Sequence, residues 1–404
     1  MTAGEFAQTA DGGKNKVQHG VMSPAVRVLV AALSAAASTL IGISVAAPAS
    51  AATGWTSVSA GEKHTCGIRG GRIYCWGDND FGQLGDNTET DRDQPTPINS
   101  GATDWVAVSA GKNHTCALRI GRISCWGDNA TGQVGDGTTA NERHSPKQIL
   151  SGATDWKSVS AGGAHTCAVR IGRIACWGDN LSGQLGDGTN DPHATSRFIL
   201  SGATDWTGVS AGTAFTCALR AGRIACWGFN GSGQLGNGTI DSRNTPQLIT
   251  SGASDWKTVS AAVTHTCAIR VGRVACWGFN FFGQLGRGTA SAEPAKTPGF
   301  ILSGATDWTT VSAGNDHTCG RRAAGIIGCW GFNGSGRLGV GDTDDRHAST
   351  KIKSSATDWT TVNAGGLHSC GIRATRIACW GENSDGQLGN NSNGDSSQPV
   401  AEVS

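Results

Sequence analysis

The groups in this chain that could do chemistry recur in step with one another. Fourteen cysteines fall into pairs nine or ten residues apart: Cys66 with Cys75, Cys116 with Cys125, Cys167 with Cys176, Cys217 with Cys226, Cys267 with Cys276, Cys319 with Cys329, and Cys370 with Cys379. Such a set could hold zinc or form disulfides, but zinc sites draw on C-x-x-C pairs and the sequence has none. A pair straddling a tight turn places its two sulfurs opposite each other on adjacent strands. Two residues before the first cysteine of each pair stands a histidine, His64, His114, His165, His265, His317 or His368, with Phe215 in the fourth. Imidazoles can ligate metals or move protons, yet a group repeated once per unit usually makes a structural bond between neighbouring strands. The Phe215 exchange would break a working ring of histidines. No metal and no cofactor is expected.

Other signatures of chemistry are weaker. Gly208-Val209-Ser210-Ala211-Gly212 has the form of a nucleophile elbow, but no helix follows it, and parallel stretches such as Ala107-Val108-Ser109-Ala110-Gly111 lack the first glycine. Asp128-Asn129 and Asp136-Gly137 read as turn chemistry, since the closing Glu of a calcium loop is missing. No carboxylate pair stands out for glycoside hydrolysis. The expectation is no catalytic residue.

What positions these residues is a unit of about fifty residues, repeated seven times and anchored by Trp55, Trp105, Trp156, Trp206, Trp256, Trp308 and Trp359. Self-similarity at that period marks an array in which each unit buries its apolar faces against its neighbours. In the second unit Trp105–Ala110, His114–Arg119 and Arg122–Trp126 are short runs of alternating or β-branched residues with Gly, Asn, Asp or Ser between them. A fourth strand carries Pro and aliphatics, as in Ser145–Leu150, and a five-residue turn then leads to Trp156. So short a loop is expected to put the Pro-type strand in the sheet of the tryptophan strand that follows it. The whole reads as an all-β, seven-bladed β-propeller of four-stranded antiparallel blades. The first unit has no Pro-type strand before Trp55, so the C-terminal stretch Gln398–Val403 is expected to supply it and close the ring. A two-residue turn at Ile120-Gly121 sets Cys116 opposite Cys125 at a non-hydrogen-bonded position, roughly 4.5 Å between Cα atoms. Ala323-Ala324-Gly325 absorbs the extra residue between Cys319 and Cys329. Seven disulfides within blades follow.

Residues 1–51 read as a secretory signal peptide, with an apolar run Val26–Val45, Arg27 at its start and Ala49-Ser50-Ala51 as the cleavage site. Met22 offers an alternative start. Residues 52–404 are the propeller. A net charge of +1 points to neither nucleic acid nor an anionic membrane, and nothing suggests membrane insertion after signal cleavage. The expected product is a secreted, extracellular monomer.

In the second unit Gly111–Cys116, Cys125–Gly127 and Gly132–Gly135 carry motifs that resemble the regulator of chromosome condensation repeat family, over essentially everything after residue 54. The resemblance implies a seven-bladed propeller closed by strands from both chain ends. The eukaryotic founder of that family is a nuclear nucleotide-exchange factor, and a secreted bacterial propeller that inhibits β-lactamases looks like the same architecture. For this chain the expectation is a non-catalytic binder of a protein or cell-surface macromolecule. The alternatives are an inhibitor of an extracellular enzyme and an extracellular hydrolase with loops over the central channel.

Charge and aromatic patterning divide the two faces. Paired arginines mark the hairpin tips, such as Arg119 and Arg122, and Asp104, Asp155, Asp205, Asp255, Asp307 and Asp358 lie at the same end. At the other end the residue after Cys-Trp-Gly is Asp78, Asp128, Asp179 or Glu382 in four units, but Phe229, Phe279 and Phe332 in units four to six. With Phe281 and Phe282 these form the candidate binding patch. The competing reading packs the same rings between blades.

Overall fold

Each short β-branched run of the repeat forms a strand in the computed structural model, which describes residues 54–139 and 141–401. The expected signal segment, 1–51, lies outside the described residues, as do Glu402 and Val403. Among the described residues twenty-eight strands form seven four-stranded antiparallel sheets, and every sheet keeps its strands in chain order. In blade two they are Trp105–Ala110, His114–Arg119, Arg122–Gly127 and Arg143–Gln148, from the channel outward. The one helical segment among the described residues is a 3-10 turn at Gly334–Gly336.

Two expectations are corrected by the pairing. Arg143–Gln148 pairs with Arg122–Gly127, setting Cys125 opposite Lys147, so the Pro-type strand is the outer strand of its own blade. The turn through Ser151–Asp155 crosses to blade three instead of closing a hairpin. For the same reason the C-terminal strand, Ser396–Ala401, does not complete blade one; it pairs with Arg376–Gly381, Cys379 opposite Val400. Sheets packed face to face lie only about 10 Å apart, a gap that a short turn spans as readily as it joins two strands of one sheet. Each blade is therefore one uninterrupted stretch of chain.

Side chains and loops close the ring. Ser109 Oγ accepts a bond from the Ala161 amide of the next blade at 3.0 Å, and the bond recurs around the ring until Asn363 Oδ1 accepts from Ala60 N at 2.7 Å across the junction of blades seven and one. The carbonyl of Gln83 accepts from Thr115 Oγ1 and Trp126 Nε1, both at 2.9 Å, and that of Gln387 accepts from Thr65 and Trp76 at the closing junction. The backbone of the Gly-Gln-Leu-Gly turn, with the Thr and Trp of the following unit, is thus the fastening between blades, except between blades six and seven, where the Arg337 carbonyl accepts from Ser369 Oγ alone. The core lies in the same interfaces. Ile68, Ile73, Leu84 and Ile98 of blade one pack on Trp105 and Trp126 of blade two, and Ile372, Ile377 and Leu388 of blade seven pack on Trp55 and Trp76 of blade one. Burying rings of this size removes the largest apolar areas available to a protein.

All seven expected disulfides are present, with Cα atoms 4.0–4.1 Å apart. In the sixth blade Cys319 still opposes Cys329, because the loop Ala323–Gly325 takes up the added residue.

Candidate partner-binding surface

The strand order sends the hairpin tips to one face and the loops after Cys-Trp-Gly to the other. On the tip face all six aspartates pair with an arginine, from Arg119 with Asp104 at 2.7 Å to Arg373 with Asp358 at 3.0 Å. In blade one Gly54 takes the place of the aspartate, and Arg69 stacks on Trp55 and Tyr74. The second arginine of the tip stays exposed in five blades, as Arg72, Arg122, Arg173, Arg223 and Arg376.

The acidic positions of the opposite face hold their own turns. Asp78, Asp128 and Asp179 each accept the amide two residues on, at 3.0, 2.9 and 3.1 Å. Oxygens of Asp78, Asp80 and Asp91 lie within 4.8 Å of one another, and Asp91 Oδ1 accepts the Asn79 amide. Burial raises the Asp78 pKa above the ordinary carboxylate value.

Where phenylalanine replaces these acids, blades five and six build a run of four rings. Phe279 stacks on Phe281 with centroids 6.2 Å apart, Phe281 meets Phe282 edge-on at 5.2 Å, and Phe282 reaches Phe332 of blade six at 4.8 Å. Phe281 is 55% exposed, whereas Phe279, Phe282 and Phe332 are half-buried. The patch thus combines an outward face with a contact that joins two blades. Phe229 is exposed too, but its ring lies over Gly231 and makes no ring contact with the run among the described residues. Blade five carries the run on a longer hairpin: its third and fourth strands, Arg273–Asn280 and Ser291–Phe300, extend until Asn280 pairs with Ser291.

Beneath Phe332 lies a residue that the sequence reading missed. The Arg337 guanidinium sits 4.7 Å from the Phe332 centroid, 5% exposed, and donates to the carbonyls of Gly334 and Gly366. Burial lowers its pKa, while Asp316, Glu382 and Glu62 hold it up. Burial raises the Asp316 pKa, and the Arg337 charge opposes the rise. The signal was there to read, because Gly336-Arg337-Leu338-Gly339 departs from Gly-Gln-Leu-Gly at one residue.

The histidines and the elbow-like serine are built into the ring. His114 Nε2 lies 2.9 Å from Thr166 Oγ1 of the next blade, and the bond recurs to His368 with Thr65 at 2.7 Å. Each partner hydroxyl donates to a carbonyl, as Thr166 does to Gln133 O and Ser369, the partner of His317, does to Arg337 O, so the histidine is the donor and carries its proton on Nε2. All six rings are fully buried, and burial lowers their pKa values, to about 3 for His64, His165, His265 and His368 and about 4 for His114. Phe215 fills the fourth place, where Thr266 keeps its bond to Gln234 O. Ser210 lies inside the strand Trp206–Ala211 and accepts the Ala261 amide at 2.9 Å. The channel mouth is a cavity of about 90 Å³ walled by Ala-Gly loops, with Asn315 Nδ2 donating to Glu62 Oε1 at 2.8 Å.

Fold and fastenings together define a closed, seven-bladed propeller stapled within every blade. The family model described as Regulator of chromosome condensation (RCC1) repeat matches residues 70–118, 121–169, 221–269 and 272–320, and a second model of the same description matches 55–83 and 105–133. The chain belongs to this repeat family. No curated protein sequence matches it. Among solved structures, human WBSCR16 superposes with a TM-score of 0.74 at 18% identity, covering 82% of this chain and 94% of that one. Prp20p of Saccharomyces cerevisiae, whose structure was described with its binding to Gsp1p and histones, gives 0.72 at 19% identity, covering 87% and 88%. Yeast RCC1 (Prp20) bound to Kap60 gives 0.73 at 17% identity, covering 87% and 85%. At these identities the likeness concerns the fold.

Proposed function

We propose that this chain is a secreted, non-catalytic propeller that binds a protein partner through the aromatic sector of blades four to six. The observation that carries the reading is Phe281, 55% exposed on the extended hairpin of blade five and backed by the Phe279, Phe282 and Phe332 rings. Large exposed rings on a rigid platform suit a partner site, because they contribute buried area at little cost in side-chain entropy. Yeast Prp20p, a propeller of the same fold, was described with protein partners, which supports protein as the partner class. Seven disulfides and the N-terminal apolar run support an oxidising, extracellular setting. Inhibition of an extracellular enzyme would be one form of such binding.

The test is capture of partners from the producer's culture supernatant and cell wall, with Phe229→Asp/Phe281→Asp as the comparison. Both rings are exposed, so the double variant is expected to keep its melting temperature and lose the partner. A folded double variant that still captures the same partner removes the aromatic sector from consideration.

A further inference from the structure

On the opposite, hairpin-tip face, the chain shows what fits beside its free arginines. In blade three Phe198 lies opposite Ala175, and the Arg173 guanidinium stacks on its ring at 3.7 Å. In blade five Phe300 lies opposite Ala275, with Arg273 at 3.9 Å. Blade four has the same register, but Leu248 takes the place of phenylalanine opposite Ala225. There the groove is open, a pocket of about 600 Å³ walled by Leu200, Trp206, Pro246 and Leu248 and flanked by Arg220 and Arg223.

The two arginines differ in state. Arg220 is engaged, its Nε donating to Asp205 Oδ1 at 2.8 Å and its guanidinium lying 5.6 Å from the Trp206 centroid. Arg223 is exposed, and its guanidinium has no hydrogen-bond or ion-pair partner among the described residues. The pocket therefore pairs an unfilled apolar wall, with Leu200 and Leu248 both more than half exposed, with one uncompensated cation above it. A guanidinium attracts the face of an aromatic ring, and a carboxylate beside that ring would meet its charge.

We propose that the blade-four pocket is a binding site for an aromatic side chain next to an acidic group, the ring occupying over Arg223 the place that Phe198 and Phe300 occupy over Arg173 and Arg273. The site is distinct from the aromatic sector on the other face and does not rest on it. Its occupant is supplied in blades three and five by the chain itself and in blade four by a partner.

Phenylacetate serves as the probe, titrated in the millimolar range against protein with labelled leucine methyl groups, with cyclohexylacetate as the non-aromatic control. Phenylacetate is expected to shift the Leu200 and Leu248 methyls in a saturable way, at least several-fold more tightly than cyclohexylacetate. Leu248→Phe copies blades three and five. It should stay folded, fill the pocket and abolish the saturable shift at Leu200. Arg223→Gln should weaken binding several-fold without changing the melting temperature. Equal binding of the two probes, an undiminished shift in Leu248→Phe, or unchanged affinity in Arg223→Gln would each overturn the proposal.

Discussion

A histidine buried without charge ties this fold to pH. The unfolded pKa is about 6.5, whereas in the folded ring the values are about 3 to 4 for His64, His114, His165, His265 and His368. Between these limits the unfolded chain binds more protons than the folded one, so stability rises with pH across the window. It is complete above the unfolded value and lost as pH falls toward the folded one, by roughly 1.4 kcal/mol per histidine for each pH unit. The melting temperature should therefore drop steeply between pH 7 and 5. His265→Phe isolates one ring, because Phe215 shows that the site accepts phenylalanine and Thr318 keeps its bond to Gln284 O. That variant should lose about 1 kcal/mol at neutral pH and show a shallower pH slope, and an unchanged slope would refute the assignment. Repetition alone made a structural bond between neighbouring strands legible, whereas the crossing of that bond to the next blade, as from His114 to Thr166, shows only in the structure. Arg337 was hidden by the same regularity, since a single exchange inside a recurring motif is easily read as noise.

At the scale of the strand and hairpin, residue spacing settled what is local and left open what is not. The opposition of Cys116 and Cys125 follows from counting outward from Ile120-Gly121, and the structure has that register. Removing one bridge, as in Cys116→Ser/Cys125→Ser, should cost roughly 2–3 kcal/mol by the loop-entropy argument, seen as a lower denaturation midpoint. Since the cysteines are fully buried, dithiothreitol should leave the native bridges intact and reduce them only once the chain unfolds. Rapid reduction of the folded protein would contradict the burial. The ownership of the outer strand was not legible, because a turn like Ser151–Asp155 contains no residue that distinguishes a hairpin from a crossing between packed sheets.

For the molecule as a whole, contiguous blades change what the chain ends do. A ring closed by a shared sheet would need one end to pair with the other, but here the junction of blades seven and one uses the same fastenings as the rest. His368 bonds to Thr65, Gln387 O accepts from Trp76, and the Asn391 amide donates to Asp93 O as the Gly188 amide donates to Asn244 O. Nothing in that geometry requires the chain to open at this junction. A circular permutant tests the point. Ala401 would be joined to Trp55 through a copy of Ile199–Asp205, the connection that leads from Phe198 to Trp206, and new ends would be opened at the exposed turn Ser201-Gly202. That turn crosses between blades three and four without contributing to a sheet, and a Cβ at Gly202 would meet nothing within 4 Å. Exposed turns of this kind are where permutation is tolerated. The permutant is expected to fold as a monomer with all seven disulfides and to melt within about 5 °C of the parent. Aggregation, or a much lower melting temperature with the same linker, would show that the native ends contribute to closure beyond the bonds named here.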